Sequence, residues 1–450
     1  MKLFGKKINI TGNSTIIIRN VYWSLLSKIA NLVSGLLVGI LVARYLGPEQ
    51  FGLMNYVVSY VSIFLIFATF GLDNIEIREE SKAPKLRDKI LGTTFWLRMI
   101  LSVMTILLII ITALISETDN YTISLIVLYA LSVIFSAFDV IRNHFTSLVK
   151  NEYVAQVSIA RTIVACIIKL ALVYYNASLV WFIGTLTFET FFQAQGFYVA
   201  YKKIIGNIST WTFDKSIAKI MLQQSFPLML SGAAAYIFLR IDQIMIGKMI
   251  NNISVGYFAV ASKIVEISLF LPTIVIQTIS PILIRIKTNK PKEIYKQSCQ
   301  QVLNISVWLS FILSIFTVIF AYPAIRIFGI EYLPAVFPLQ LLAFKTIGTT
   351  LNVISGQILI IDNKQKYFIL RSVSGCLACI ILNYLVIPHY GIAGVCIIAS
   401  VTQLIAGWII HFFIPQYRYV FKMQSRSLLY GWRDIRNIFR GKIYFLNVNF

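Results

Sequence analysis

Long apolar runs constrain this chain more than any motif does. Twelve of them recur along it, at about 20–45, 51–72, 93–115, 122–144, 153–174, 179–201, 221–247, 254–284, 297–321, 333–361, 367–387 and 391–415. A helix rises about 1.5 Å per residue, so about 20 apolar residues match the ~30 Å hydrocarbon layer of a bilayer. Composition agrees. Only 13% of the 450 residues are charged and 58% are hydrophobic, whereas a soluble domain carries roughly 25% charged residues. The expected fold is all-α and integral to a membrane. The first run is too long for a cleavable leader and lacks a small-residue cleavage site, so it is expected to stay as an uncleaved insertion signal.

A net charge of +22 raises the question of nucleic acid, and its distribution answers it. The basic residues lie in short segments between apolar runs, which points to the anionic face of a bilayer. One set of alternate connections carries Arg19, then Arg78 to Lys89, Arg142 and Lys150, Lys202 to Lys219, Arg285 to Lys296, and Lys364 with Lys366. The other set holds only Arg44, Lys248 and Arg326, and its segment 116–120 is acidic. Lys and Arg accumulate on the cytoplasmic side of membrane proteins, so both termini are expected to be cytoplasmic. The outer connections are all short, which leaves no platform for the large extracytoplasmic catalytic loop of a membrane glycan polymerase or ligase.

Halving the chain exposes a weak repeat. The turn Leu46-Gly47-Pro48-Glu49-Gln50-Phe51-Gly52-Leu53-Met54 is answered by Asn251-Asn252-Ile253-Ser254-Val255-Gly256-Tyr257-Phe258. Each is a short polar turn followed by an apolar residue, Gly and two further apolar residues opening a helix. The expected organisation is a segment at 1–19, a six-helix bundle at 20–201, a linker at 202–220, a second six-helix bundle at 221–415 and a basic amphipathic tail at 416–450. Parallel repeats of this kind are related by an axis along the membrane normal and bind substrate between their halves.

Several of these segments also carry a resemblance. Ala43-Arg44-Tyr45-Leu46-Gly47-Pro48-Glu49-Gln50-Phe51-Gly52, Phe226-Pro227-Leu228, Arg240-Ile241-Asp242-Gln243, Val255-Gly256-Tyr257 and Tyr390-Gly391-Ile392-Ala393-Gly394 are similar to signatures of polysaccharide exporters in the MATE-like (MOP) superfamily. Within it, the chain most resembles the O-antigen flippases (Wzx-type). That resemblance spans about residues 15–415. It implies a bacterial inner-membrane transporter that moves undecaprenyl-diphosphate-linked oligosaccharide, as for lipopolysaccharide O-antigen, from the cytoplasmic to the periplasmic leaflet. It further implies a polysaccharide polymerase and a chain-length regulator as partners, with no cofactor and no nucleic acid.

Ionisable residues inside the spans are the site candidates, because each costs about 2.5–3.5 kcal/mol at a helix centre and normally faces an interior or a wet cavity. Glu189, Lys263, Glu266 and Lys345 fall near mid-depth, Lys28 and Arg161 toward the cytoplasmic side, and Lys169, Arg240 and Asp242 toward the outer side. Bases outnumber acids, which suits a diphosphate headgroup. The substrate set is therefore Arg161, Lys345, Lys28, Lys263, Arg44 and Arg240. The coupling set, for protons or sodium, is Glu189 as a lone carboxylate, Glu266 and Asp242. Lys263 and Glu266, three apart on one helix face, serve equally as a structural pair. Arg98 and Lys169 are expected to snorkel toward headgroups, and Asp139 with Arg142 to form a surface anchor pair.

Other features read as structural. Cys376-Leu377-Ala378-Cys379 lies inside an apolar span without nearby His or carboxylate partners and reads as core. His144, His389 and His411 are scattered, so no metal is expected, and no Walker lysine loop is present. Leu428, Leu429, Trp432, Ile435 and Phe439 interleave with Arg433, Arg436 and Arg440, an amphipathic pattern expected to lie on the inner leaflet. Two other functions remain on sequence grounds: a MATE-type exporter of cationic drugs, disfavoured by the basic excess, and a membrane glycan enzyme.

Overall fold

The computed structural model describes residues 2–3, 6–7, 12–117 and 119–433. Its framework is helical: α1 (Gly12–Thr69), α2 (Leu72–Lys82), α3 (Arg87–Ser116), α4 (Asn120–Ala130), α5 (Asp139–Ser147), α6 (Asn151–Tyr174), α7 (Leu179–Ile204) and α8 (Lys215–Met249). There follow α9 (Asn252–Asn289), α10 (Lys292–Ile319), α11 (Val336–Leu342), α12 (Lys345–Ile361), α13 (Phe368–Leu404) and α14 (Arg418–Tyr430). Among the described residues, 8 helical stretches are long and apolar enough to cross a membrane, or 9 if the bent pair Ile330–Leu342 and Lys345–Ile361 is one span. That count runs below the number of apolar runs partly because two of the stretches each hold two helices that meet at a kink, at Gly47 (φ 68, ψ 173) in α1 and at Gly391 (φ 53, ψ −140) in α13. A positive φ costs glycine nothing, so one helix ends and the next begins at each of these glycines.

The chain is a multi-pass membrane protein, and its burial pattern says why. On α3 the residues Ile100, Val103, Met104, Leu107, Ile111 and Leu114 form an exposed stripe, whereas Arg98, Ser102, Thr105, Ile109 and Ala113 are buried. The exposed face is the more apolar one. In water this arrangement would leave a large unpaired hydrophobic surface; in lipid the small and polar residues belong between helices. Helix α10 repeats it, burying Ser306, Ser310, Ser314 and Thr317 while exposing Ile312, Ile315, Phe316 and Ile319.

The chain divides into two compact units. The first comprises the residues up to Leu46 together with Tyr60–Ala233, and the second comprises Gly47–Ser59 with the chain from Ala234 onward. The first unit is fastened at one end by a polar cluster. Asp73, Glu76 and Glu80 fall on one face of α2. The guanidinium of Arg98 reaches Asp73 at 2.7 Å and Glu76 at 3.6 Å. Asn143 on α5 donates to both Asp73 and Glu76 at 2.9 Å, and His144 meets Glu80. Arg142 reaches Asp73 at 3.2 Å and Asp139 at 3.1 Å, the latter the anchor pair its spacing predicts. Arg98 does not snorkel. It is fully buried, because carboxylates on the preceding helix offer a better partner than distant headgroups.

The second unit brings the two halves of the sequence repeat together. A Cβ placed on Gly52 would lie 1.8 Å from the Asn252 carbonyl oxygen, and one on Gly256 would lie 2.1 Å from that of Pro48. Each glycine of the repeated motif therefore admits the backbone of the other motif. Further along, Ile276, Leu283, Val302, Leu303, Ile354, Ile358, Tyr417 and Val420 form a core from α9, α10, α12 and the approach to α14. At its edge Asp362 accepts from Lys287 at 2.9 Å and Tyr295 at 3.0 Å, and also from Tyr419. Burial pushes its pKa up, but these hydrogen bonds and the Lys287 charge outweigh that and hold it below the ordinary carboxylate value.

Candidate functional site

The predicted charges divide between the units. In the first, Asn31 of α1 donates to Ser158 of α6 at 3.0 Å and also accepts from Thr162. One turn away on each helix stand Lys28, exposed, and Arg161, half-buried. Arg161 Nη1 donates to Gln193 Oε1 on α7 at 2.7 Å, and its Nε is buried without a hydrogen-bond partner. Two turns further along α6, Lys169 pairs with Glu189 at 2.6 Å. Two expectations are corrected here. Glu189 is not a lone carboxylate, and Lys169 does not snorkel, since each neutralises the other across the α6–α7 contact at lower cost than two separate charges in hydrocarbon. Arg44 is exposed near the end of this unit's first segment.

In the second unit Asp242, 3% exposed, lies inside α8. Its Oδ1 accepts from Asn383 Nδ2 at 2.7 Å and from the Cys379 thiol at 3.2 Å, both on α13. Asp242 has no ion-pair partner among the described residues, and Asn383 Oδ1 is buried with no hydrogen-bond partner. Lys345 opens α12 in the same unit and is half-buried. Arg240 and Lys263 are half-buried and Glu266 is exposed; none of the three shares a hydrogen bond with Asp242.

The second unit also contains a cavity of about 430 Å³, and its most telling residue escapes a sequence reading. Arg371, on the first turn of α13, is 6% exposed and lines it with Thr349, Asn352, Gln357, Ser372 and Gln403. Its Nη2 donates to the Asn352 carbonyl at 2.9 Å and to the Asn352 side chain. Among the described residues no carboxylate pairs with it. A buried cation without an anion is costly unless something supplies the charge, and here its partners are the two Asn352 oxygens and the Phe368 ring, 5.2 Å away. A π-helical turn at Ile405–Ile409 adjoins the same wall through Ala406; such turns occur mostly at functional positions. From sequence, Arg371 passes as one more base near the end of a span. The available signal is that no acid stands three or four residues away on its own helix.

These features accord with what the chain resembles. A model of the family described as polysaccharide biosynthesis protein matches residues 17–287. No curated protein matches the chain in sequence. Among solved structures, one described as the lipid II flippase MurJ in an inward closed conformation is similar with a TM-score of 0.71 at 14% identity, covering 95% of this chain and 97% of its own. An inward-facing multidrug resistance MATE family transporter of the MOP superfamily follows with a TM-score of 0.66 at 14% identity, over 91% and 99%. Its outward-facing counterpart gives 0.61 at 13%, over 91% and 96%. At such identities the likeness carries the fold, which is that of membrane transporters. With more than half of its length matched by the family model, the chain belongs to the polysaccharide biosynthesis protein family and has a helical membrane fold like that of those structures.

Proposed function

We propose that this protein is a flippase for undecaprenyl-diphosphate-linked oligosaccharide, an O-antigen or related surface-polysaccharide unit, which it carries between leaflets by alternating access. In this reading it sits in a bacterial inner membrane with twelve spans in two six-helix bundles, both termini are cytoplasmic, and it is a transporter rather than an enzyme. The observation that carries the proposal is Arg371: a buried guanidinium that no carboxylate pairs with among the described residues, in a largely apolar cavity whose polar groups are carboxamides and hydroxyls. An arginine fork is suited to phosphate oxygens, and the carboxamides around it suit sugar hydroxyls. Arg161, Lys345, Lys28, Lys263, Arg44 and Arg240 supply further positive charge for the diphosphate while the prenyl tail stays in lipid. Asp242 leads the coupling candidates over Glu266 and the paired Glu189, because its carboxylate and the unpartnered Asn383 Oδ1 together offer oxygen ligands to a proton or sodium ion. A polysaccharide polymerase and a chain-length regulator would act downstream of the translocated unit.

The test is glycan export in a bacterium lacking its own flippase, supplied with this gene and with candidate sugar-assembly genes. The expected result is surface polysaccharide restored by the native chain and reduced at least tenfold by Arg371→Gln and by the Arg161→Gln/Lys345→Gln double variant, with membrane levels unchanged. Export at the native level from both variants would remove the cationic assignment. Resistance to cationic dyes, without glycan export, would move the function to the MATE-type drug exporter.

A further inference from the structure

A second cavity, of about 600 Å³ and lined mainly by polar side chains, lies where α14 runs beside α10. Three cations line it, Lys296 from α10 and Lys422 and Arg426 from α14, with Gln297, Gln300 and Asn304 between them and no carboxylate in the wall. Lys422 and Arg426 are one helical turn apart, as are Lys296 and Gln300, so each pair projects from one face of its helix. Three like charges around one hollow repel one another unless an anion sits among them.

The frame of this cavity is fixed. Gln300 Nε2 donates to Asn304 Oδ1 at 2.8 Å and to the Met423 carbonyl at 2.9 Å. Trp308 Nε1 donates to the Ser427 carbonyl at 3.0 Å. Gln424, buried on the far side of α14, donates to the Gly407 carbonyl at 2.7 Å and to that of Leu351 at 3.1 Å. The cations are therefore held on a rigid helix rather than on a loose tail, which lowers the ordering cost of binding.

The surroundings indicate the source of the anion. Helix α14 follows directly on the last apolar helix; Tyr419 and Met423 line the cavity with the cations, and Leu429, three residues beyond Arg426 on α14, is exposed. Aromatic residues at the end of a span mark the membrane–water interface. A cationic cavity lined also by Tyr419 and Met423, on the helix that leaves the last span, matches a phosphate carrying acyl chains better than a free phosphate. We infer that this cavity binds the phosphate headgroup of an anionic membrane lipid, with Arg426 as the fork, Lys296 and Lys422 as point charges and the carboxamides on the headgroup hydroxyls. The site is separate from the Arg371 cavity and does not depend on the cargo.

The experiment measures lipid binding to the purified full-length chain by native mass spectrometry, with phosphatidylglycerol and phosphatidylcholine as probes. Each base near an anionic headgroup contributes about 1 kcal/mol, so Lys422→Gln/Arg426→Gln is expected to weaken phosphatidylglycerol binding about 10- to 30-fold and to leave phosphatidylcholine unchanged. Lys202→Gln/Lys203→Gln removes the same charge from exposed positions elsewhere and is expected to change binding less than twofold. Arg426→Lys, which keeps the charge and loses the fork, is expected to fall between native and Arg426→Gln. It also keeps the test open should the double variant not fold. Equal losses in the two double variants would overturn the inference by showing diffuse charge attraction. Tight binding of inorganic phosphate that phosphatidylglycerol fails to displace would overturn it in favour of a soluble anion.

Discussion

At the scale of single residues, what matters is whether an intramembrane charge has a partner. Arg98 pairs with Asp73 and Glu76, and Lys169 with Glu189, so they are parts of the scaffold. Arg98→Ala is expected to destabilise the protein by about 3–5 kcal/mol, because it leaves the buried Glu76 without its cation and Asp73 with Arg142 alone; loss of cooperative thermal unfolding in detergent is the measurement. Asp362 supports a pH prediction outside the spans. Its folded pKa lies below the unfolded value, about 3.9, so its contribution is present above that value and is lost as pH falls through the folded one. Asp362→Asn is expected to cost about 1–3 kcal/mol at pH 7, and the gap between native and variant melting temperatures is expected to close below about pH 4. A gap independent of pH would show that shape and not charge matters there. Residue roles were only partly legible in the sequence. The Asp139–Arg142 pair was visible because its partners are three residues apart on one helix. The partners of Arg98 and Lys169 sit on neighbouring helices, where spacing says nothing, and Arg371 is distinguished only by an absence.

At the scale of elements, the repeated glycine motif turns from pattern into contact. Sequence comparison of the halves shows two similar helix openings; the fold shows that Gly52 and Gly256 each make room for the other's backbone. Carbonyl oxygens and a helical backbone cannot yield as a flexible side chain would, so Gly52→Ala and Gly256→Ala are each expected to lower stability by about 1–3 kcal/mol through overpacking. Thermal melts in detergent measure this, and Gly35→Ala is the control, since a Cβ there meets nothing within 4 Å. Helix existence was legible from apolar length. At Gly47 and Gly391 the backbone leaves helical geometry and two helices meet at a kink, where the apolar runs on either side divide. The start of the amphipathic tail is seen as α14, while Ile435, Arg436, Phe439 and Arg440 lie outside the described residues.

At the scale of the whole molecule, apolar stripes facing outward and polar residues packed inward make a membrane protein. The family and the transporter fold were legible because long apolar runs and short motifs are written locally. The cargo is not written that way, since it depends on which charges remain unneutralised once helices from distant parts of the sequence meet. Flipping of a fluorescent undecaprenyl-diphosphate oligosaccharide in vesicles reconstituted with the purified chain tests the central claim most directly. Labelled lipid in the outer leaflet is quenched by a membrane-impermeant reductant, and lipid carried across becomes accessible in turn. The account predicts that native protein makes nearly all the label accessible and that Arg371→Gln slows this at least tenfold. Quenching that stops near half in vesicles containing well-folded native protein, under proton and sodium gradients of either sign, would contradict it.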